Sequence, residues 1–214
     1  MLRTDSTYHI EDVLLVDEEH PLPVYPTAFT HPTTPIIFED TRQHDGHHTI
    51  KHECFDELGV YRVVHRLRFG DYAADGVPIV IDTKRNVEEL EQTVVAEIND
   101  PRKSARPAWI EARQAGYQFI ILVETDDYTS TDDLIAWLNP VCYERCPWYD
   151  GYMCNPADRN TPCPRFKRNY HPADAARLLR GIWEAEQEYG VKFLYCSPYK
   201  AASTIYEILI GKKF

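Results

Sequence analysis

The sequence is short of positive charge. It carries 23 Lys and Arg residues against 34 Asp and Glu residues, which gives a formal net charge of −11 at pH 7 with histidine neutral. This balance argues against a protein that encloses long duplex DNA by general electrostatic attraction, because such binding neutralises many phosphates with basic side chains. Small basic clusters remain, as solvated surface or as candidate phosphate contacts: Arg62, Arg66 and Arg68; Lys84 and Arg85; Arg102, Lys103 and Arg106; Arg165, Lys167 and Arg168.

Long apolar runs are also absent. No stretch approaches the roughly 20 apolar residues that span a bilayer, and the longest early apolar run, residues 13–16, is too short for the core of a secretory signal. We therefore expect a protein without a membrane partner that stays inside the cell, in the cytoplasm or with the nucleus or nucleoid. In that compartment the six cysteines are expected as thiols or metal ligands rather than disulfides.

The sequence does contain enough apolar side chain for one α/β domain. At 214 residues and 43% hydrophobic composition, a chain of this size buries a substantial core. A proline-rich stretch over residues 21–35 predicts that residues 1–35 form an arm and that residues 36–214 form the domain. Residues 139–171 contain four cysteines and show little periodicity, which predicts an insertion within that domain.

Two acidic residues stand at the ends of predicted strands. Alternating β-branched residues predict strands over 60–69 and 77–82, joined as a hairpin. Asp71 and Asp82 then lie near strand ends. Two carboxylates close together repel each other, so this arrangement favours a divalent cation between them, and Mg²⁺ or Mn²⁺ suits oxygen ligands. Lys84 follows Asp82 by two residues and therefore leaves the strand on the same face.

Four histidines lie close to this acidic site in the sequence, and imidazole is a ligand of transition metals. A polar loop followed by an exposed helix face is the simpler explanation, and a preference for manganese over magnesium would indicate the metal-binding one. The four are His44, His47, His48 and His52.

Motifs around these residues occur in a recognisable order. A short apolar strand ends in Asp40-Thr41-Arg42, and a predicted helix, a strand, Gly70-Asp71-Tyr72 and Asp82-Thr83-Lys84 follow. This order resembles the nuclease domain of the XPF/Hef family of structure-specific endonucleases, in the PD-(D/E)xK superfamily. The motifs of that family are Val-Asp-x-Arg-Glu, Gly-Asp-Tyr or Gly-Asp-Phe, and Glu-Arg-Lys-x-x-x-Asp. The resemblance covers about residues 35–212, broken by the insertion.

The resemblance implies a restriction-endonuclease-like α/β fold, with a central mixed sheet flanked by helices. It also implies a metal-dependent endonuclease that acts on branched or single-strand-containing DNA in repair, recombination or mobile-element processing. Asp71 and Asp82 would then bind Mg²⁺ or Mn²⁺, and Asp40 would be a further ligand or a water-organising acid. Lys84 would position the attacking water and stabilise charge on phosphorus, and Arg42 would contact the scissile phosphate.

Three positions depart from the motifs of the family. Asp82 stands where Glu is usual, Gln43 stands where a Glu follows the arginine, and Glu88 replaces the Asp that follows the lysine by four. Gln43 loses a carboxylate, which favours an alternative function: a catalytically inactive nuclease-fold module that binds DNA or a partner. The sequence does not separate these functions from an RNA-directed or recombination-associated nuclease of a mobile element.

Members of the family usually pair through the nuclease domain and carry helix-hairpin-helix motifs after it. We expect no such motifs here, so DNA contacts are expected from this domain, its insertion or a partner. A homodimer built on the last helices is a further hypothesis, with Trp183, Tyr206 and Ile210 as candidate contacts.

The insertion has the spacing C-x3-C-x7-C-x8-C, formed by Cys142, Cys146, Cys154 and Cys163. Thirty-odd residues with little periodicity bury too little surface to fold alone, and a bound metal compensates for that deficit. Four thiolates suit tetrahedral zinc, so we predict a structural zinc site. A 4Fe–4S cluster and unliganded thiols are the alternatives.

Elemental analysis of the purified protein tests this prediction. We expect about one zinc per chain, because a tetrahedral site of four thiolates holds one ion. A brown protein that contains iron would indicate a 4Fe–4S cluster instead of zinc. A protein that contains neither metal would indicate unliganded thiols.

Overall fold

The computed structural model describes residues 36–42, 49–95, 104–149, 154, 163–164 and 172–211. The predicted arm over residues 1–35, Gln43 and three of the four clustered histidines lie outside these ranges, and so do the basic residues Arg102, Lys103, Arg165, Lys167 and Arg168. Most of the insertion also lies outside them, apart from residues 139–149 and two later cysteines.

Six strands form one mixed sheet. They are β1 (Ile37–Asp40), β2 (Arg62–His65), β3 (Tyr72–Ala74), β4 (Ile79–Lys84), β5 (Gln118–Glu124) and β6 (Lys192–Cys196). Their order in the sheet is β2-β1-β3-β4-β5-β6. β1 runs parallel to β2 and antiparallel to β3, β3 runs antiparallel to β4, and β5 runs parallel to β6.

Helices flank the sheet, so the predicted α/β fold with a central mixed sheet is confirmed. In the described ranges they are α1 (Thr49–Glu57), α2 (Val87–Val95), α3 (Arg106–Gln114), α4 (Pro140–Tyr143), α5 (Ala175–Glu184) and α6 (Ala201–Leu209). Short 3-10 turns cover Asp132–Ala136 and Pro198–Lys200, and a π-helical turn continues α5 over Ala185–Tyr189. None of the helices in these ranges has the length and apolar character needed to cross a bilayer.

The chain divides into two compact units. The first unit contains residues 1–82, 112–119 and 199–214, and the second contains residues 83–111 and 120–198. In the first, the rings of Phe55 and Tyr72 lie 5.9 Å apart in the core, and α6 packs against α1 and β3. In the second, α2 packs closely against α5. A Cβ added to Gly181 of α5 would lie only 2.8 Å from the carbonyl oxygen of Val94, so glycine permits this approach.

The predicted hairpin of residues 60–69 with 77–82 is wrong in its first strand. Only residues 62–65 of that segment form a strand, which pairs with β1 at the edge of the sheet, and the partner of β4 is β3. Gly70 explains the interruption, because its φ of +74° is left-handed and a Cβ there would lie 3.1 Å from the carbonyl oxygen of Ile81. The hairpin turn itself spans Ala74 to Val77, whose N–H donates to the Ala74 carbonyl at 3.2 Å.

Candidate active site

Main-chain hydrogen bonds align three acidic residues across the end of β1, the residue before β3 and the second half of β4. The N–H of Asp40 donates to the carbonyl of Asp71 at 2.9 Å. The N–H of Asp71 donates in turn to the carbonyl of Ile81 at 2.7 Å, and Asp82 follows directly. Three residues that are far apart in the sequence therefore stand side by side on neighbouring strands.

Strand alternation shows which face of the sheet the two outer acids occupy. Glu39 pairs with Tyr72, and Tyr72 pairs with Ile81, so these three side chains share one face. Asp40 and Asp82 each stand one residue further along their strands. They therefore lie on the opposite face, since successive side chains of a strand alternate between faces.

Asp71 lies between the other two acids. β3 separates β1 from β4, and adjacent strands are about 4.8 Å apart, so Asp40 and Asp82 are roughly 10 Å from each other. A divalent ion holds its oxygen ligands at about 2.0–2.6 Å. Such an ion bridges carboxylates on neighbouring strands more readily than carboxylates on alternate strands, which makes Asp71 and Asp82 the candidate pair.

The carboxylate of Asp40 is held by Arg42. Asp40 is only 3% exposed, and its Oδ2 accepts hydrogen bonds from Nε of Arg42 at 2.7 Å and from Nη2 of the same guanidinium. Nη2 also donates to the carbonyl oxygen of Leu67 at 2.8 Å. The pair therefore ties the end of β1 to the segment that leads into Gly70 and Asp71, and charge-assisted bonds of this kind are among the stronger ones in proteins.

Lys84 is the last residue of β4 and belongs to the second unit. Lys84 follows Asp82 by two residues, so the two side chains leave the strand on the same face. Glu89 of α2 lies near it. Burial alone would raise the pKa of Glu89, but hydrogen bonds from Arg85 and the charges of Arg85 and Lys84 outweigh burial and lower this pKa, so Glu89 is held ionised near the lysine.

One residue that the sequence analysis missed is Glu39, which occupies an apolar position of β1 and is 3% exposed. Its carboxylate accepts a hydrogen bond from the Tyr72 hydroxyl at 3.2 Å and pairs with Arg62, and its Oε1 lies 2.8 Å from Nε2 of His52. The one histidine of the sequence cluster that the structure describes thus contacts a buried carboxylate on the face opposite Asp40. The available signal was a charged residue directly after the apolar run Ile36 to Phe38, within the same short strand.

The partners of Glu39 keep it ionised. Burial by itself would raise its pKa, but the hydrogen bonds and charges of His52 and Arg62 outweigh that effect and hold the pKa below its usual value. A group whose pKa is lowered on folding contributes stability above its unfolded pKa, and this contribution is lost as the pH falls through the lowered pKa of the folded state.

Among the residues that the structure describes, no group of three or more His, Cys, Asp or Glu side chains is placed to hold a metal ion. Mg²⁺ is usually bound through one or two carboxylates together with waters and substrate phosphates. Two carboxylates at Asp71 and Asp82 therefore suit that ion without a third protein ligand.

The four cysteines of the insertion are all described, and none of these four forms a disulfide. Cys142, Cys154 and Cys163 are buried, and Cys146 is half-buried. As placed they do not form a group of three or more metal ligands, so zinc stays a prediction for the elemental analysis. Cys54 and Cys196, which lie outside the insertion, are half-buried.

Comparison with known proteins gives a limited picture. No protein-family model matches the chain, and no curated protein matches it. The solved structures similar to it include XPF from Aeropyrum pernix, with 16% identity and a TM-score of 0.46 over 83% of this chain. XPF from Aeropyrum pernix in complex with DNA has 17% identity and a TM-score of 0.46 over 84% of this chain. The match covers 66% of each of those chains, and a similarity of this size carries no information on activity.

The role of Glu39 is tested with Glu39→Gln. Removing one charge of a buried pair leaves the other uncompensated, so we expect the free energy of unfolding at pH 7 to fall by about 3 kcal/mol. The difference from wild type should shrink as the pH falls through the lowered pKa of Glu39, because the wild-type carboxylate then becomes protonated. Chemical denaturation at several pH values measures it.

The matched control is Glu53→Gln, an exposed glutamate on the same helix as His52. It should change stability by less than about 0.5 kcal/mol. If Glu39→Gln and Glu53→Gln had equal effects at pH 7, the buried ion pair would contribute nothing.

Proposed function

We propose that this chain is a metal-dependent endonuclease that hydrolyses phosphodiester bonds in DNA. The observation that supports it most strongly is the hydrogen-bonded row that aligns Asp40, Asp71 and the residue before Asp82 at one end of three strands. Two acids on neighbouring strands favour a divalent cation beside them, and DNA supplies the phosphate oxygens that complete the coordination of such a cation.

Each residue of the motif has a proposed role. Asp71 and Asp82 hold Mg²⁺ or Mn²⁺, and the bound ion would polarise the phosphoryl oxygens and lower the pKa of a water ligand. Lys84 stabilises the negative charge that develops on phosphorus as water attacks and the P–O bond to the leaving oxygen breaks. Asp40 acts through Arg42 as a positioning residue, because the pair fixes the segment before Asp71.

Arg42 can contact the substrate while it holds Asp40. Its side chain is 55% exposed although its guanidinium binds Asp40 and the Leu67 carbonyl. A guanidinium has five N–H donors and can therefore bind more than one acceptor group at once. This supports a contact of Arg42 with the scissile phosphate, in addition to its structural role of holding Asp40.

Branched DNA, or DNA with a single-stranded part, is the proposed substrate. The net charge of −11 is unfavourable for a long duplex footprint. A substrate with unpaired nucleotides offers contacts other than the phosphate backbone, including the faces of the bases. Repair, recombination and mobile-element processing are the settings in which such substrates arise.

A second candidate function has a specific observation in its favour. Asp40 is nearly fully buried, and Arg42 takes up its carboxylate. Together with Gln43, this arrangement suits a catalytically inactive module that keeps the nuclease fold and binds DNA or a protein partner.

A homodimer through the last helices is a separate proposal. Trp183 of α5 is 59% exposed, which suits a contact residue, whereas Tyr206 and Ile210 are half-buried. Light scattering that shows a monomer at working concentration would contradict it.

Cleavage assays test the proposed reaction. Labelled single-stranded, flap, forked and duplex DNA are incubated with the wild-type protein and with Asp82→Asn, Asp71→Asn and Lys84→Met, with and without Mg²⁺ or Mn²⁺. We expect metal-dependent cleavage by the wild type and a loss of about 100-fold or more in each variant, which is the size of effect that single charge-stabilising groups have in catalysis.

Asp75→Asn is the matched control, since Asp75 is an exposed aspartate at the opposite end of β3 from Asp71. It should cleave as the wild type does. Activity that survives Asp82→Asn and Lys84→Met would refute the mechanism. DNA binding without cleavage under any divalent ion would favour the inactive module.

A further inference from the structure

The first residues of the insertion are fixed at its base. Asn139 donates from Nδ2 to the carbonyl of Ala173 at 3.0 Å, which joins the start of the insertion to the chain just before α5. The Oδ1 of Asn139 accepts a hydrogen bond from the N–H of Val141 at 3.0 Å and so caps the short helix α4. Residues 139–149 therefore have a defined position within the second unit.

These residues are also attached to α2. Arg145 donates from Nη2 to Oε1 of Glu88 at 2.5 Å. Glu88 is in the first turn of α2, four residues after Lys84, and Glu91 on the same helix accepts a backbone hydrogen bond from Ala173. The start of the insertion is thus bound to the helix that follows directly on the strand carrying Lys84.

This attached segment exposes aromatic side chains. Tyr143 is 57% exposed and Trp148 is 43% exposed, whereas Trp109 and Trp137 are both buried in the core. The rings of Tyr143 and Tyr149 meet edge to face, with centroids 5.7 Å apart. We call Tyr143, Trp148 and Tyr149 the aromatic segment. The guanidinium of Arg145, half exposed, lies between them in the sequence.

We infer that the aromatic segment is a stacking surface for unpaired nucleotides of single-stranded DNA. Aromatic rings stack on the face of any base, and stacking contributes to affinity independently of phosphate neutralisation. That mode of binding fits a chain whose net charge is −11, for which extensive phosphate neutralisation is unfavourable. The inference rests on the proposed endonuclease function, because it assumes that DNA is the substrate of the site to which Lys84 belongs.

The test measures binding without cleavage. An end-labelled oligothymidylate of about 20 nucleotides is titrated with the Asp82→Asn protein, without added divalent ion or chelator, and fluorescence anisotropy reports the dissociation constant. Adding Trp148→Ala or Tyr143→Ala should weaken binding by about 5-fold to 100-fold, the range expected for the loss of one stacked base. Trp148→Phe, which keeps an aromatic face, should restore most of the affinity.

Tyr199→Ala is the matched control, since Tyr199 is an exposed aromatic residue outside the aromatic segment. It should change the affinity by less than about 2-fold. Trp148→Ala should leave the dependence of affinity on salt unchanged, because a stacked base contributes no phosphate contact. Circular dichroism and light scattering check that each variant is folded and keeps the mass of the wild type.

Each outcome decides between named alternatives. If Trp148→Ala and Trp148→Phe bind oligothymidylate as the parent protein does, the aromatic segment does not stack bases. If Trp148→Ala changes the mass in solution instead, the segment contacts a second copy of the chain, and tighter binding of oligouridylate would make RNA the ligand. Each of these results overturns the inference.

The inference and the proposed function fail separately. If the wild type cleaves DNA and Trp148→Ala binds unchanged, the endonuclease stands and the stacking surface is refuted. If no divalent ion supports cleavage and Trp148→Ala still loses affinity, the stacking surface stands on an inactive DNA-binding module.

Discussion

The proposed chemistry depends on a chain of main-chain hydrogen bonds across three strands. The bonds from Asp40 to Asp71 and from Asp71 to Ile81 fix the backbone of the acidic positions independently of their side chains. Gly70 is needed next to this row, because its left-handed backbone passes close to the Ile81 carbonyl, where any Cβ would be crowded. A carboxylate set by sheet register is positioned rigidly, since register is also fixed by the buried side chains of the same strands.

Both faces of β1 carry a buried acid with an arginine partner. On one face Asp40 is held by Arg42, and on the other Glu39 is held by Arg62, His52 and Tyr72. Burying two adjacent carboxylates costs free energy unless each is paired and hydrogen-bonded. The end of β1 is thus stabilised by ion pairs on both faces, and the bond of Arg42 to the Leu67 carbonyl also connects it to the segment before Asp71.

Local patterns in the sequence account for several elements. Asn86, three residues before Glu89, has the spacing of a helix cap, and its side chain accepts a hydrogen bond from the N–H of Glu89 at 2.9 Å. Asp133 accepts bonds from the backbone of Thr129 and Ser130, which gives this acidic residue a structural role. Gly190 follows the last turn of its helix with a φ of +71°. Each of these features depends on residues within four positions of one another.

Features that depend on distant residues were not predictable in the same way. The parallel pairing of β2 with β1 joins segments about 25 residues apart, and alternation alone cannot choose a partner strand. Glu39 meets Arg62 across 23 positions, and Glu88 meets Arg145 across 57. The motif order predicts a shared site for Asp40, Asp71 and Asp82, whereas the bond of Arg42 to the Leu67 carbonyl, across 25 positions, appears only once the backbone is folded.

The most direct test of the central claim is a titration with Mn²⁺ followed by electron paramagnetic resonance or calorimetry, without DNA. Mn²⁺ prefers oxygen ligands, so it distinguishes a carboxylate site from thiolates. The account predicts a site on the wild type that loses about 10-fold or more in affinity in Asp71→Asn and in Asp82→Asn, and that is unchanged in Asp75→Asn. Equal Mn²⁺ binding by all four proteins would contradict it.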